Sequence, residues 1–390
     1  MELKGNEQSK RVASAFREKY DGQPRLFFSP GRINIIGEHV DYNEGFVMPA
    51  AIGNGIYYAI APNDSDIINI LAIDLSEELT VQTHDIKKSK GWKNYPLGVL
   101  HQLKLQGIAL KGFNCVFGGD LPVGAGMSSS AAVECGLAFG LNEIFGWSLN
   151  RMEIAKLCQQ AEHAYPGVMC GIMDQFANMM GKRGHVMLLD CRSLEYHYLP
   201  LSLDNYDLLM VNSKVHHALA SSEYNLRREQ CEEGLHIIQQ HLPAVQALRD
   251  VTEKELLDFL QLMPSEIFQR CLYIIQEISR TRQAAKLLDQ GRLADLGKLM
   301  FATHEGLSKL FEVSCDELDF LVVEAAKEPA VLGARLMGGG FGGCTINIIQ
   351  RNATKQFLDR LIPSYQKQFD INPEHYIISL GDGTHELPKN

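Results

Sequence analysis

Residues 121–132 read LPVGAGMSSSAA. The preceding stretch, "GFNCVFGGD", has the apolar, β-branched and aromatic content of a strand. The following small-residue apolar run, from Ser128 to about Ile144, reads as a helix. Strand, glycine-rich loop and helix stand in the order that phosphate sites favour. Gly124 and Gly126 let backbone N–H groups come close to a ligand, and a helix N-terminus adds unpaired donors with about half a unit of positive charge. A turn that only caps a helix needs one hydroxyl, yet Ser128, Ser129 and Ser130 stand in a row. Gly124, Gly126 and the three serines are therefore candidate phosphate-binding residues, set against a turn that merely caps a helix.

The other common phosphate loops are missing. No GxxxxGK[ST] occurs, and "GRLADLGKL" (291–299) has the wrong glycine spacing and a leucine after its lysine. No GxGxxG opens a helix with an acidic residue placed for a ribose, and there is no protein-kinase HRD or DFG.

Around the loop the chain divides into a strand-rich first part and a more helical second part. A helix at about 7–20 precedes "RLFFSPGRINIIGEH", read as strand, tight turn at Ser29-Pro30-Gly31, and strand. More strands follow in "GIYYAIAPN", "IINILAID" and "ELTVQTHD", then a helix at 93–106. A second helix after the loop takes Ser148 or Asn150 as its N-cap. Residues 221–327 are mostly helical by their i, i+3, i+4 apolar spacing, and "GARLMGGGFGGCTINII", a helix at 353–369 and a last strand "HYIISLGD" close the chain. With 390 residues, two domains are expected, 1–200 and 201–390, the last strand packing back on the first domain.

A formal net charge of −10 with no long Lys/Arg run argues against a nucleic-acid or membrane-surface binder. The nine cysteines show neither CxxC nor zinc spacing and read as buried free thiols. No signal-like start and no uninterrupted apolar run of membrane-spanning length is present. A soluble, cytoplasmic protein with small-molecule ligands and no obligatory protein partner is expected.

Phosphoryl transfer also needs a divalent ion, a group that orients or deprotonates the acceptor, and positive charge near the transferring group. Ser130 and Glu162 are candidate magnesium ligands. Asp174, among apolar neighbours in "CGIMDQFANMMG", is either the cap of the next helix or a desolvated carboxylate poised for proton transfer. Arg32, Glu38, His39 and Asp41 crowd together in "PGRINIIGEHVDYNEG" and suit a ligand with many hydroxyls.

Five stretches together resemble one family. "GRINIIGEHVDYNEGFVMPAAI" is similar to the galactokinase signature, "LPVGAGMSSSAA" to the ATP motif of the GHMP small-molecule kinases, and "LMGGGFGGCTINII" to their third motif. "AEHAYPGVMCGIMDQF" and "HHALASSEYNLRREQC" resemble further galactokinase segments. The resemblance spans essentially the whole chain. It implies an α/β (α+β) two-domain GHMP fold, with a mixed-sheet N-terminal domain, a more helical C-terminal domain and ligands between them. ATP and Mg2+ would be used to phosphorylate galactose at C1. Glu38, His39, Asp41, Gly171, Asp174 and Tyr224 would hold the sugar, Asp174 acting as base beside Arg32, while Gly124, Ala125, Gly126, Met127, Ser128, Ser129 and Ser130 would wrap the ATP phosphates and Ser130 and Glu162 would hold the metal. Val40, Met127 and Met337 replace the commoner threonine, leucine and threonine. N-acetylgalactosamine kinases share the first motif but tend to carry Cys-Gly where Asn43-Glu44 stands here, and sugar sensors lose residues from the intact Ser130-Ala131-Ala132.

Overall fold

The computed structural model describes residues 2–122, 126–216 and 220–388. Gly124 and Ala125 of the phosphate loop lie outside the described residues. The chain opens with α1 (Glu2–Lys19), β1 (Arg25–Asn34), β2 (Phe46–Val47), β3 (Pro49–Pro62), β4 (Ile67–Ala72) and β5 (Glu77–Gln82). Next come α2 (Asn94–Leu105), β6 (Phe113–Gly119), α3 (Ser129–Phe145), α4 (Arg151–Ala164), α5 (Met173–Met180), β7 (His185–Asp190), β8 (Tyr196–Pro200) and β9 (Tyr206–His216). The helical stretch comprises α6 (Ala220–His241), α7 (Glu253–Leu257), α8 (Ser265–Asp289), α9 (Leu293–Lys309) and α10 (Asp316–Ala326). β10 (Val331–Met337), β11 (Gly342–Gln350), α11 (Thr354–Phe369), β12 (Glu374–Ile378) and β13 (His385–Glu386) complete it.

The first sheet has the order β13-β1-β3-β6-β4-β5 and is mixed, since β4 runs parallel to β6 while the other pairs are antiparallel. An antiparallel sheet β10-β11-β9-β12 and a small one, β2-β7-β8, accompany it. A mixed sheet in the first half and a largely helical second half are the arrangement that the GHMP resemblance leads one to expect.

β3 is buried along most of its length because both faces are covered. Successive residues of a strand point to opposite faces. Tyr57, Ala59 and Ala61 accordingly cluster with Val12 and Phe16 of α1, while Ile56, Tyr58 and Ile60 cluster with Ala132, Cys135 and Ala138 of α3. The small residues of α3 let it sit close: a Cβ on Gly136 would lie 2.4 Å from the Tyr58 ring, and one on Gly140 2.7 Å from Ile60. That close seating fixes where the N-terminus of α3, and so the serine run, meets the sheet.

The turn expected at Ser29-Pro30-Gly31 is instead a bulge within one continuous β1, whose register against β3 shifts between Pro30 and Arg32. Gly31 is required there, because a Cβ would come within 2.5 Å of Leu121 and 2.8 Å of the Met127 carbonyl. Asn178 holds the Pro30 carbonyl at 2.5 Å, and the Arg32 N–H bonds the Met127 carbonyl at 3.1 Å. A bulge re-aims the residue that follows it, and here that residue is Arg32. "HYIISLGD" contributes β12 to the second sheet. The residues after it return to the first sheet, through a bridge from Leu380 to Ile52 and through β13 on β1.

All nine cysteines are free and six are buried. Among the described residues no helix is long and apolar enough to cross a membrane.

Candidate active site

β1 ends at Asn34, and the polar loop that follows is covered by the second half of the chain. The Gly37 N–H donates to Glu277 of α8 at 2.8 Å, and the Tyr273 hydroxyl donates to the Glu38 carbonyl at 3.0 Å. Gly37 has φ +95°, and a Cβ there would lie 2.5 Å from the Phe46 carbonyl. Val40 points into the core, so Glu38, His39 and Asp41 on either side of it turn toward a cavity. The loop tolerates burial because its backbone groups find partners on α8.

That cavity, about 190 Å3, is lined by Arg32, Glu38, His39, Asp41, Glu162, Gly171, Asp174, Tyr224, Gly338 and Gly339, with Val168, Cys170 and Met173. It thus gathers every sugar-side and base residue singled out in the sequence. Asp174 is the second residue of α5, whose N-cap is Ile172, and its carboxylate makes no capping bond. Arg32 instead grips it in a fork, Nε to Oδ1 at 2.8 Å and Nη2 to Oδ2 at 2.9 Å, and the Ser128 hydroxyl donates to Oδ2. Arg32 Nη1 also donates to the Gly126 carbonyl at 2.5 Å, so one guanidinium joins the carboxylate to the phosphate loop. Burial acts to lower the Arg32 pKa, but the Asp174 and Glu38 charges outweigh it and hold the guanidinium above its ordinary value. Bidentate guanidinium–carboxylate pairs fix orientation as well as charge.

Asp41 faces the same space. Burial, then the Asp174 and Glu38 charges, push its carboxyl up to about 7, against weaker opposing bonds from the Tyr42 and Met173 N–H groups. Gly171 is needed beside it, since a Cβ would lie 2.0 Å from Asp41 Oδ2. His39 has its ring nitrogens 2.8 Å from the Tyr42 hydroxyl and 3.2 Å from the Gly339 carbonyl. Burial lowers its pKa to about 4, so it is neutral at pH 7. The Tyr224 ring lies 5.1 Å from that of His39 and 5.6 Å from that of Tyr42.

The three serines diverge. Ser128 turns to Asp174, while Ser129 and Ser130 line a second cavity of about 550 Å3, and the Ser130 hydroxyl hydrogen-bonds Glu162. Glu162 also accepts from Gln175 at 2.8 Å, and burial followed by the Asp174 charge pushes it up to about 7. Leu75, Trp92, Tyr95, Phe117, Leu121 and Val133 give the second cavity an apolar wall, and Val168 borders both spaces. Met127, Val40 and Met337, the three departures from the galactokinase pattern, are all buried in the core, so their changed side chains face no ligand space.

Sequence reasoning missed the apolar wall and the supports Tyr273, Glu277 and Arg335. Arg335 carried a usable signal, an arginine inside the apolar strand "VLGARLM". The wall carried none, because Leu75, Trp92 and Phe117 come from three separated elements of ordinary composition.

Residues 14–62 match the galactokinase galactose-binding signature, 94–182 the GHMP kinases N-terminal domain, and 284–366 the GHMP kinases C-terminal domain. Fold and site together define a GHMP-type small-molecule kinase that transfers phosphate to a small sugar. The galactokinase of Thermotoga maritima is 37% identical over 92% of this chain and 99% of its own, and that of Clostridium beijerinckii 37% over 93% and 94%. The crystal structure of Lactococcus lactis galactokinase complexed with galactose superposes with a TM-score of 0.93 at 32% identity, covering 97% of this chain and 99% of that one. The chain belongs to the galactokinase family.

Proposed function

We propose that the protein uses ATP to phosphorylate the C1 hydroxyl of galactose, giving galactose 1-phosphate and ADP, the first committed step of galactose use. The observation that carries this is the Arg32–Asp174 fork in a cavity also lined by Glu38, His39 and Asp41, beside the serine run at the start of α3. The galactose complex of the Lactococcus lactis relative supports the choice of sugar.

Asp41 and Glu38 accept hydrogen bonds from sugar hydroxyls, Gly171 leaves room for Asp41 to do so, and Tyr224 closes the cavity. Asp174 accepts the C1 hydroxyl. As that oxygen bonds to the γ-phosphorus and the bond to the ADP oxygen breaks, the proton passes to the Asp174 carboxylate. Arg32 holds Asp174 at the required angle and offers positive charge beside the transferring group. The loop from Gly124 to Ser130, at the N-terminus of α3, is the phosphate site of this reading, and the apolar cavity around Trp92 suits the base of ATP.

Ser130 and Glu162 are the residues that would hold Mg2+, which supplies charge neutralisation on the phosphates when bound. The donor set suits that ion. Magnesium takes one or two protein carboxylates plus phosphate and water oxygens. Among the described residues no group of three or more His, Cys, Asp or Glu side chains is arranged for a metal, while Glu162 is a buried carboxylate with a second carboxylate nearby, which a cation would relieve.

In this reading the division near residue 200 separates a sugar- and phosphate-binding domain from one that contributes Tyr224, Gly338 and Gly339. The enzyme works in the cytoplasm on small molecules, without nucleic acid, membrane or an obligatory protein partner. Purified protein with ATP and Mg2+ is expected to release ADP when galactose is added. Equal turnover with glucose, or binding of galactose and ATP without ADP release, contradicts the proposal. N-acetylgalactosamine and 2-deoxygalactose in the same assay define tolerance at C2.

A further inference from the structure

Arg335, on β10, is fully buried and lines neither cavity. Its Nε donates to the Ile35 carbonyl at 2.7 Å, Nη1 to the Leu336 carbonyl at 2.6 Å and to Glu38 Oε1 at 3.0 Å, and Nη2 to the Asn34 carbonyl. Glu38, only 2% exposed, takes a second bond on the same oxygen from the Gly338 N–H at 2.9 Å. Both fixed donors therefore meet Oε1, and Oε2 is the oxygen left for a ligand in the cavity that Glu38 lines.

We propose that Arg335 is a positioning residue for sugar recognition: it pins Glu38 by one oxygen, so that the other is presented to a sugar hydroxyl in a fixed direction. Its bonds to the Asn34 and Ile35 carbonyls fix the guanidinium itself, and the role proposed for it is its hold on Glu38 alone. This deepens the galactokinase reading and rests on it.

A carboxylate free to rotate would lose several alternative orientations on binding each sugar. One held on a single oxygen by a buried guanidinium N–H and a backbone N–H has already lost most of them, so binding retains more of the hydrogen-bond energy. Lysine cannot substitute, because an ammonium is a point charge that does not reach four acceptors spread around a planar fork. Arg335 touches neither the apolar cavity nor the Asp174–Arg32 fork, so its effect falls first on the sugar side.

The test is Arg335→Lys, with steady-state kinetics for both substrates and galactose binding by calorimetry. The KM and Kd for galactose are expected to rise about tenfold or more, while the KM for ATP and kcat stay within about threefold, since a lost charge-assisted hydrogen bond has that size. An unchanged galactose KM, or a parallel loss in kcat and both KM values, overturns the proposal. Removing one partner of a buried pair can prevent folding. Glu38→Gln and the double variant Glu38→Gln/Arg335→Gln then carry the test as a cycle. If Arg335 acts through Glu38, the double variant binds galactose within about threefold of Glu38→Gln alone, and a further large loss overturns it. The underlying reading fails separately: wild type would not turn over galactose, or Glu38→Gln would leave its KM unchanged. Loss of the Arg335 effect with both of those intact is a failure of this inference only.

Discussion

Asp41 makes the site sensitive to pH in a defined direction. Its carboxyl sits at about 7 rather than its ordinary 3.8, through burial and the neighbouring Asp174 and Glu38. A raised value means that the folded state holds the proton more tightly than the unfolded one. The stabilisation is complete below about 3.8 and is lost as pH rises through about 7. Sugar hydroxyls favour the ionised form, so the KM for galactose is expected to fall as pH rises from 6 to 8, and Asp41→Asn should flatten that profile. A pH–KM series in both proteins checks it. Gly171→Ala is predicted to raise the galactose KM by at least an order of magnitude, since 2.0 Å between its Cβ and Asp41 Oδ2 forces the carboxylate to move. Isotherms for galactose and for an ATP analogue separate this from general damage, because ATP binding should persist. At this scale the sequence was informative wherever polar residues crowded. Glu38, His39 and Asp41 stood together in the chain, whereas the hold of Arg335 on Glu38 spans 297 positions and has no local signature.

At the scale of elements, the small residues of α3 set the position of its serines. Gly136→Ala would gain about 1 kcal/mol in helix propensity. The new methyl would meet the Tyr58 ring at 2.4 Å and the Ser29 Cβ at 2.7 Å, and overpacking of that kind costs about 1–3 kcal/mol. A net loss in denaturant midpoint is expected. Asn150→Ala, at the other kind of helix start, should cost about 1 kcal/mol by removing the cap on the Met152 and Glu153 N–H groups, with little effect on activity. The strand, loop and helix around residues 112–146 were legible because their apolar periods differ. The bulge at Gly31 was not: Ser-Pro-Gly marks a break, and only the approach of Leu121 and Met127 from elsewhere decides that the break is a bulge and not a turn. Asp174 shows the same limit. A carboxylate near a helix start suits a cap, and what makes it otherwise is Arg32, 142 residues earlier.

Over the whole molecule, the end of the chain stitches the first sheet to the site. β13 pairs with β1, the Gly383 N–H bonds the Gly181 carbonyl at 2.9 Å, and Thr384 packs against Asn178, which holds the bulge ahead of Arg32. Ending the chain after Gly381 should therefore lower both thermal stability and kcat, and calorimetry beside turnover will show whether they fall together. The central claim is that Asp174, held by Arg32, serves the chemical step on galactose. Its most direct test is Asp174→Asn, assayed for ADP release and for galactose binding on the same preparation. Galactose binding within about threefold of wild type is predicted, with kcat reduced by about 10²-fold or more. Retention of wild-type kcat in a folded Asp174→Asn protein would contradict it.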